Sequence, residues 1–175
     1  MAKLFLKEIP SGTEAQTHLS THYAVPVDPL TFETYLQFRK LNAEIDIILD
    51  ELFSEYNLST GRYILLMILQ SNNDGFMPSE LAQKVGVTQA TISGLISNLE
   101  KSGLLQRHTH HQDGRAFVIK LTEQGQQLLA KLTPDFFHRI HQFLGGLTDE
   151  EKNNLNQICQ KLLGVVSIMS KSLNN

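Results

Sequence analysis

The side chains best suited to chemistry cluster between residues 88 and 115. Thr88, Gln89, Thr91, Ser93, Ser97 and Asn98 place hydroxyl and amide groups at helical spacing. Lys101, Arg107, His108, His110, His111 and Arg115 follow, with Asp113 among them. Hydroxyls and amides hydrogen-bond to base edges, and cations pair with phosphates. The residues of covalent catalysis are missing: there is no phosphate-cradling glycine loop, no nucleophile elbow and no HExxH motif. His138 and His141 stand three apart on a helical pattern, a spacing that can chelate a metal. Cys159 is the sole cysteine and sits among Ile158, Leu162 and Leu163, as a buried structural thiol would. The expectation is noncovalent recognition, with no enzyme activity, no cofactor and no resident metal.

The elements that must position these groups are short and well punctuated. Leu81, Ala82 and Val85 form one apolar face, and Gly86 supplies a left-handed helix end. Thr88 is a natural N-cap. Ile92, Leu95, Ile96 and Leu99 then recur at i, i+3, i+4 and i+7, so they make one stripe. The opposite face carries Ala90, Gly94, Ser97 and Lys101, flanked by Ser93 and Asn98. A helix with so slim a polar face fits a major groove. Gly94 costs roughly 1 kcal/mol relative to alanine inside a helix, and close backbone approach to something is one reason to tolerate it. Ser102-Gly103 closes the helix. Leu104 and Leu105, then Phe117, Ile119 and Leu121, read as two strands, the second alternating. Asp113-Gly114 is a turn signal at the tip of this hairpin. The order is helix, turn, helix, basic hairpin: a winged helix-turn-helix. The alternative for residues 78–102 alone is a plain two-helix corner with a solvated polar face.

The stretch resembles the MarR family (multiple antibiotic resistance regulators), dimeric winged-helix transcription factors. The matching segments are Ser79-Glu80-Leu81-Ala82, Val87-Thr88-Gln89-Ala90-Thr91, Leu99-Glu100-Lys101-Ser102-Gly103-Leu104, Asp113-Gly114-Arg115-Ala116 and Leu121-Thr122-Glu123-Gln124-Gly125. It covers roughly residues 28–172. The resemblance implies that Arg115 enters the minor groove and that Asp113 helps to fix it. Many members carry an arginine where this chain has Gly94, so base readout here falls to other side chains. The residues expected at DNA are Ser79, Thr88, Gln89, Ala90, Thr91, Ser93, Ser97, Asn98, Lys101, Arg107, His108, Asp113 and Arg115. The family also implies a small aromatic or amphipathic ligand that releases DNA. Tyr35, Phe38, Arg39, Tyr63, Met67, Phe136 and His141 are the residues expected around it.

The 175-residue chain has a net charge of −3, which suits a DNA binder only because the charge is uneven. Residues 78–121 hold five Lys/Arg against three Asp/Glu, while the remainder holds ten against fifteen. An acidic body limits non-specific binding. Leu4-Phe5-Leu6 is too short for a secretory signal and no run of ~18 apolar residues spans a membrane, so a cytoplasmic protein is expected.

Asp28-Pro29 starts a long helix bearing Phe32 to Tyr56, and Ser59 caps a nearly continuous apolar helix that should be surrounded on all sides. Thr122 caps a helix that Thr133-Pro134-Asp135 should kink or restart. Thr148 to Glu151 is a capping box before a last amphipathic helix. The terminal helices carry more apolar face than one winged unit can cover, which calls for a twofold homodimer.

The expected class is mainly α with a small β-hairpin wing. Residues 1–27 form an N-terminal extension, 28–58 and 142–175 a helical dimerisation region, and 59–141 the DNA-binding unit with its connecting helix. The expected activity is a sequence-specific regulator of a pseudo-palindromic operator, most simply a repressor. The alternatives are a metal- or redox-responsive regulator of the same fold, or a winged-helix protein-interaction module.

Overall fold

The computed structural model describes residues 8–23, 28–109 and 117–172. Their order is α1 (Gly12–Tyr23), α2 (Pro29–Glu55), α3 (Thr60–Gln70), α4 (Pro78–Val85), α5 (Gln89–Lys101), β1 (Leu105–Thr109), β2 (Phe117–Leu121), α6 (Glu123–Leu144) and α7 (Asp149–Ser172). The winged helix-turn-helix expected from the sequence is present. The described residues fall into two compact units, divided after Gln126.

The first unit is built from capped helices. Asp28 accepts from Thr31 N at 2.8 Å with Pro29 in the first turn, and Ser59 accepts from Arg62 N at 3.4 Å. The core gathers Leu52 and Phe53 from α2, Leu65, Leu66 and Leu69 from α3, and Leu81 from α4, all nearly free of solvent. Ile92, Ile96 and Leu99 of α5 and Ile119 of β2 complete it. Burying an aliphatic side chain of this size contributes about 1.5–3 kcal/mol, so this cluster fixes the attitude of α5.

β1 and β2 pair antiparallel, with Arg107 opposite Ile119 and His108 opposite Val118. A third segment, at Phe76, joins them through a bridge to Ile119. Phe76 N donates to Ile119 O at 3.2 Å and Ile119 N donates to Phe76 O at 2.8 Å. Gly75, at φ +81°, allows this approach, because an added Cβ would lie 2.5 Å from Ile119 O. The hairpin is thereby tied to the α3–α4 connection.

Several expectations need correcting. Residues 12–23 form a helix inside the N-terminal extension. Its Ser11 N and Oγ donate to Glu14 Oε2 at 2.8 and 2.9 Å, and Gly12 N donates to Glu33 Oε2 of α2 at 3.1 Å. α3 is not enclosed on all sides in the single chain: Ile64 is exposed. Along β2 the alternation fails at its start, where Val118 is buried and Phe117 is exposed. Cys159 is half-buried rather than buried.

In the second unit α6 runs through Pro134 without restarting. Proline removes one donor and crowds one carbonyl. The buried Leu129 and Leu132 before it and the half-buried Phe136 and Ile140 after it stay on one stripe. Thr148 and Glu151 cap α7 reciprocally, Thr148 N donating to Glu151 Oε2 at 2.8 Å. The apolar face of α7 stays open, with Ile158, Leu162 and Val166 about half exposed. Among the described residues no helix is long and apolar enough to cross a membrane.

Candidate nucleic-acid interface

The turn between α4 and α5 is set by backbone geometry. Gly86 adopts φ 73°, ψ 35°, the left-handed conformation that ends α4, and its N–H donates to Ala82 O at 2.9 Å. The chain re-enters helix one turn later through Thr88. Its Oγ1 accepts from Thr91 N at 3.2 Å and lies 2.9 Å from Thr91 Oγ1. Two of the expected DNA-contacting hydroxyls are therefore also structural: they close the N-terminus of α5.

With Ile92, Ile96 and Leu99 held in the core, the opposite side of α5 faces outward. Ala90, Thr91, Asn98 and Lys101 are exposed there and Ser97 is half-buried, while the exposed Gln89 and Ser93 stand toward the flank of the helix. Ser79, in the first turn of α4, is exposed beside it. Ser79, Gln89, Ser93 and Arg107 line one cleft of about 400 Å³, together with Met77, Ile96 and Phe117. The cleft joins the start of α4, the inner flank of α5 and the hairpin.

Arg107 is held there by two contacts the sequence reading did not anticipate. Its Nε is 3.1 Å from Glu100 Oε2, and its guanidinium lies 4.9 Å from the ring centroid of Phe117. Phe117 is exposed, and its ring faces this cation. A carboxylate on α5 thus offsets one of the hairpin's positive charges. No sequence signal marks the pair, since Glu100 and Arg107 meet only once the helix turns into the strand. Lys84 lies 5.0 Å over Phe76 in a similar way. His108 is exposed on β1. Asp113 and Arg115, with His110 and His111, lie outside the described residues.

The residues expected around a ligand are dispersed in character. Tyr35, Phe38 and Arg39 are exposed on α2. Tyr63 is buried and stacks on Phe53 with centroids 4.6 Å apart, and Met67 is half-buried on the same helix. In the second unit Phe136 meets Phe137 edge-on at 5.6 Å, and His141 is exposed. Among the described residues no group of three or more His, Cys, Asp or Glu could hold a metal ion.

Residues 48–132 match the family model of the transcriptional regulators SarA/Rot. Over 149 residues the chain is 30% identical to the HTH-type transcriptional repressor YetL of Bacillus subtilis, covering 85% of this chain and 88% of the relative. The chain belongs to the MarR family of winged-helix transcriptional regulators. As a MarR protein it is a DNA-binding regulator and not an enzyme. Its fold is similar to that of AbsC, a MarR family regulator from Streptomyces coelicolor (TM-score 0.75, 19% identity, 82% of this chain and 98% of that one). It is similar also to MepR of S. aureus in complex with DNA (TM-score 0.68, 24% identity, 75% and 95%). CouR from Rhodococcus jostii RHA1, bound to p-coumaroyl-CoA, shares the fold as well (TM-score 0.66, 20% identity, 76% and 93%). In this MarR chain α4 and α5 form the helix-turn-helix, and β1 and β2 form the base of the wing.

Proposed function

We propose that this MarR-family protein is a cytoplasmic repressor that binds a pseudo-palindromic operator as a homodimer and is released by a small aromatic or amphipathic ligand. The observation that carries the DNA-reading part is the outward surface of α5, polar from Gln89 to Lys101 and held by Ile92, Ile96 and Leu99. Gln89, Ala90, Thr91, Ser93, Ser97 and Asn98 read base edges, with Thr88 and Ser79 at the entrance. Lys101, Arg107 and His108 pair with phosphates, and Arg115, steadied by Asp113, enters the minor groove.

Dimerisation through residues 28–58 and 142–175 is supported by the apolar surface that α2 and α7 leave open, including Tyr35, Leu41, Leu155 and Leu162. A twofold axis would bring two copies of α5 to successive major grooves. Residues 59–141 then act as the DNA-binding unit with its connecting helix. The name of the repressor YetL supports repression as the sign of control.

The ligand reading is supported by CouR, whose structure holds an aromatic thioester, and by the exposed Tyr35, Phe38 and Arg39. Met67 of α3 is a further residue in the same unit. Tyr63, stacked on Phe53, would act as a wall of that site rather than as a freely moving contact. A ligand releases DNA only by its differential affinity for two conformations.

Gel shifts with the upstream region of the protein's own gene test the reading. Binding should weaken steeply with salt, and Arg115→Ala should cost roughly 1–3 kcal/mol. Equal affinity of wild type and Arg115→Ala would remove the wing from the mechanism. A panel of aromatic acids and phenols that changes neither thermal stability nor operator affinity would remove the ligand.

A further inference from the structure

We infer that Gly94 is a specificity-determining position, where the absence of a side chain lets the 5-methyl group of an operator thymine rest against the backbone of α5. This inference rests on the DNA-reading function above. At 100° per residue, Ile92, Ile96 and Leu99 fall within about 40° of the direction opposite Gly94. Gly94 therefore stands at the crest of the outward surface, and Ala90, Asn98 and Lys101 lie within about 40° of it. It is exposed, and a Cβ built on it would meet nothing within 4 Å. Packing inside the chain gives no reason for glycine there.

Helix propensity gives a reason against it, since glycine is the least favoured residue in a helix interior apart from proline. The gain must come from what approaches the crest. Without Cβ, another group can come closer to the helix axis by about one C–C bond, ~1.5 Å. Ala90 and Gly94 together make a short notch with no side-chain donor or acceptor. Backbone groups there are engaged in the helix ladder, so the notch offers only van der Waals contact. In the major groove the one apolar group that projects from a base edge is the thymine methyl. The polar neighbours Asn98 and Ser97 sit on either side, placed to hydrogen-bond with flanking bases.

The test uses a duplex selected from a random library by the full-length wild-type protein. Gly94→Ala should raise Tm by about 2–4 °C, as alanine improves an open helical site. The same variant should bind the selected duplex at least tenfold more weakly. Replacing each thymine of the half-site in turn by deoxyuridine removes one methyl group. At the contacted step this should weaken wild type at least threefold while restoring most of the affinity lost by Gly94→Ala. Affinity of Gly94→Ala within twofold of wild type would overturn the inference. So would an equal loss on thymine and deoxyuridine duplexes at every step, or a Tm below that of wild type. A wild-type protein that selects no sequence would instead overturn the DNA-reading function itself.

Discussion

Gly75→Ala should loosen the wing from the helical body, and its cost can be worked from two separate sources. The backbone at Gly75 has φ +81°, where an L-residue costs about 1–2 kcal/mol. The new Cβ would also lie 2.5 Å from Ile119 O, so the two segments must separate. Separation sacrifices at least one of the paired bonds between Phe76 and Ile119, now 3.2 and 2.8 Å long, at about 0.5–1.5 kcal/mol each. The total is roughly 2–3 kcal/mol, or a fall in Tm of about 4–12 °C for a chain of this size. Thermal and urea unfolding at one fixed protein concentration measure it. Gly75→Asn separates the sources, because asparagine tolerates the left-handed backbone but keeps the Cβ. Amide exchange at Ile119 and Phe76 should accelerate in both variants. An unchanged Tm in Gly75→Ala, with both amides as protected as before, would refute the tie between the hairpin and the α3–α4 connection.

Three other outcomes follow from the same geometry. Thr88→Ala removes the acceptor for Thr91 N and should cost about 1 kcal/mol of stability, with Thr88→Asn restoring it; thermal unfolding of both variants decides. Glu100→Gln releases Arg107 at a stability cost below about 1 kcal/mol, since both groups are partly exposed to solvent. It should steepen the salt dependence of DNA binding by up to about 0.9 in log–log slope per protomer, and an unchanged slope would mean that Arg107 contacts no phosphate. The last concerns pH. The backbone and hydroxyl hydrogen bonds from Thr148 hold the Glu151 carboxyl below its ordinary value of 4.5. A carboxyl depressed in the folded state stabilises above that ordinary value, and the contribution is lost as pH falls below it. Thr31 acts in the same sense on Asp28. Tm should therefore fall on acidification below about pH 4.5, and less steeply in Glu151→Gln; parallel curves for the two proteins would exclude the cap as a source.

What the sequence made legible was local. Thr88, Gly86, Asp28-Pro29 and the Thr148–Glu151 box act through groups three or four residues apart, so each carries its own mark. The stripe of Ile92, Leu95, Ile96 and Leu99 is equally local; three of its members are buried, while Leu95 at its margin is half-buried. The paired Phe76 and Ile119 and the Glu100–Arg107 contact join residues that only tertiary structure brings together, and neither carries a periodic signal. α1 did have a mark: Ser11 and Glu14 form a capping box. The body of the helix carries no apolar stripe, and Ala15 is its one buried hydrophobic residue among those described. At Pro134 α6 continues rather than restarts, and Leu129, Leu132, Phe136 and Ile140 stay on one stripe. Ile64 lies open in the single chain although its helix reads as enclosed, whereas the open face of α7 is the surplus apolar surface expected of the terminal helices.

Hydroxyl-radical footprinting on the selected duplex tests the central claim most directly. Two protected segments should appear, related by a twofold axis and centred about one helical turn, ~10 base pairs, apart. Both should fade together as salt is raised. Protection spread evenly along the duplex, or none at concentrations where the protein remains folded, would contradict a recognition helix at α5.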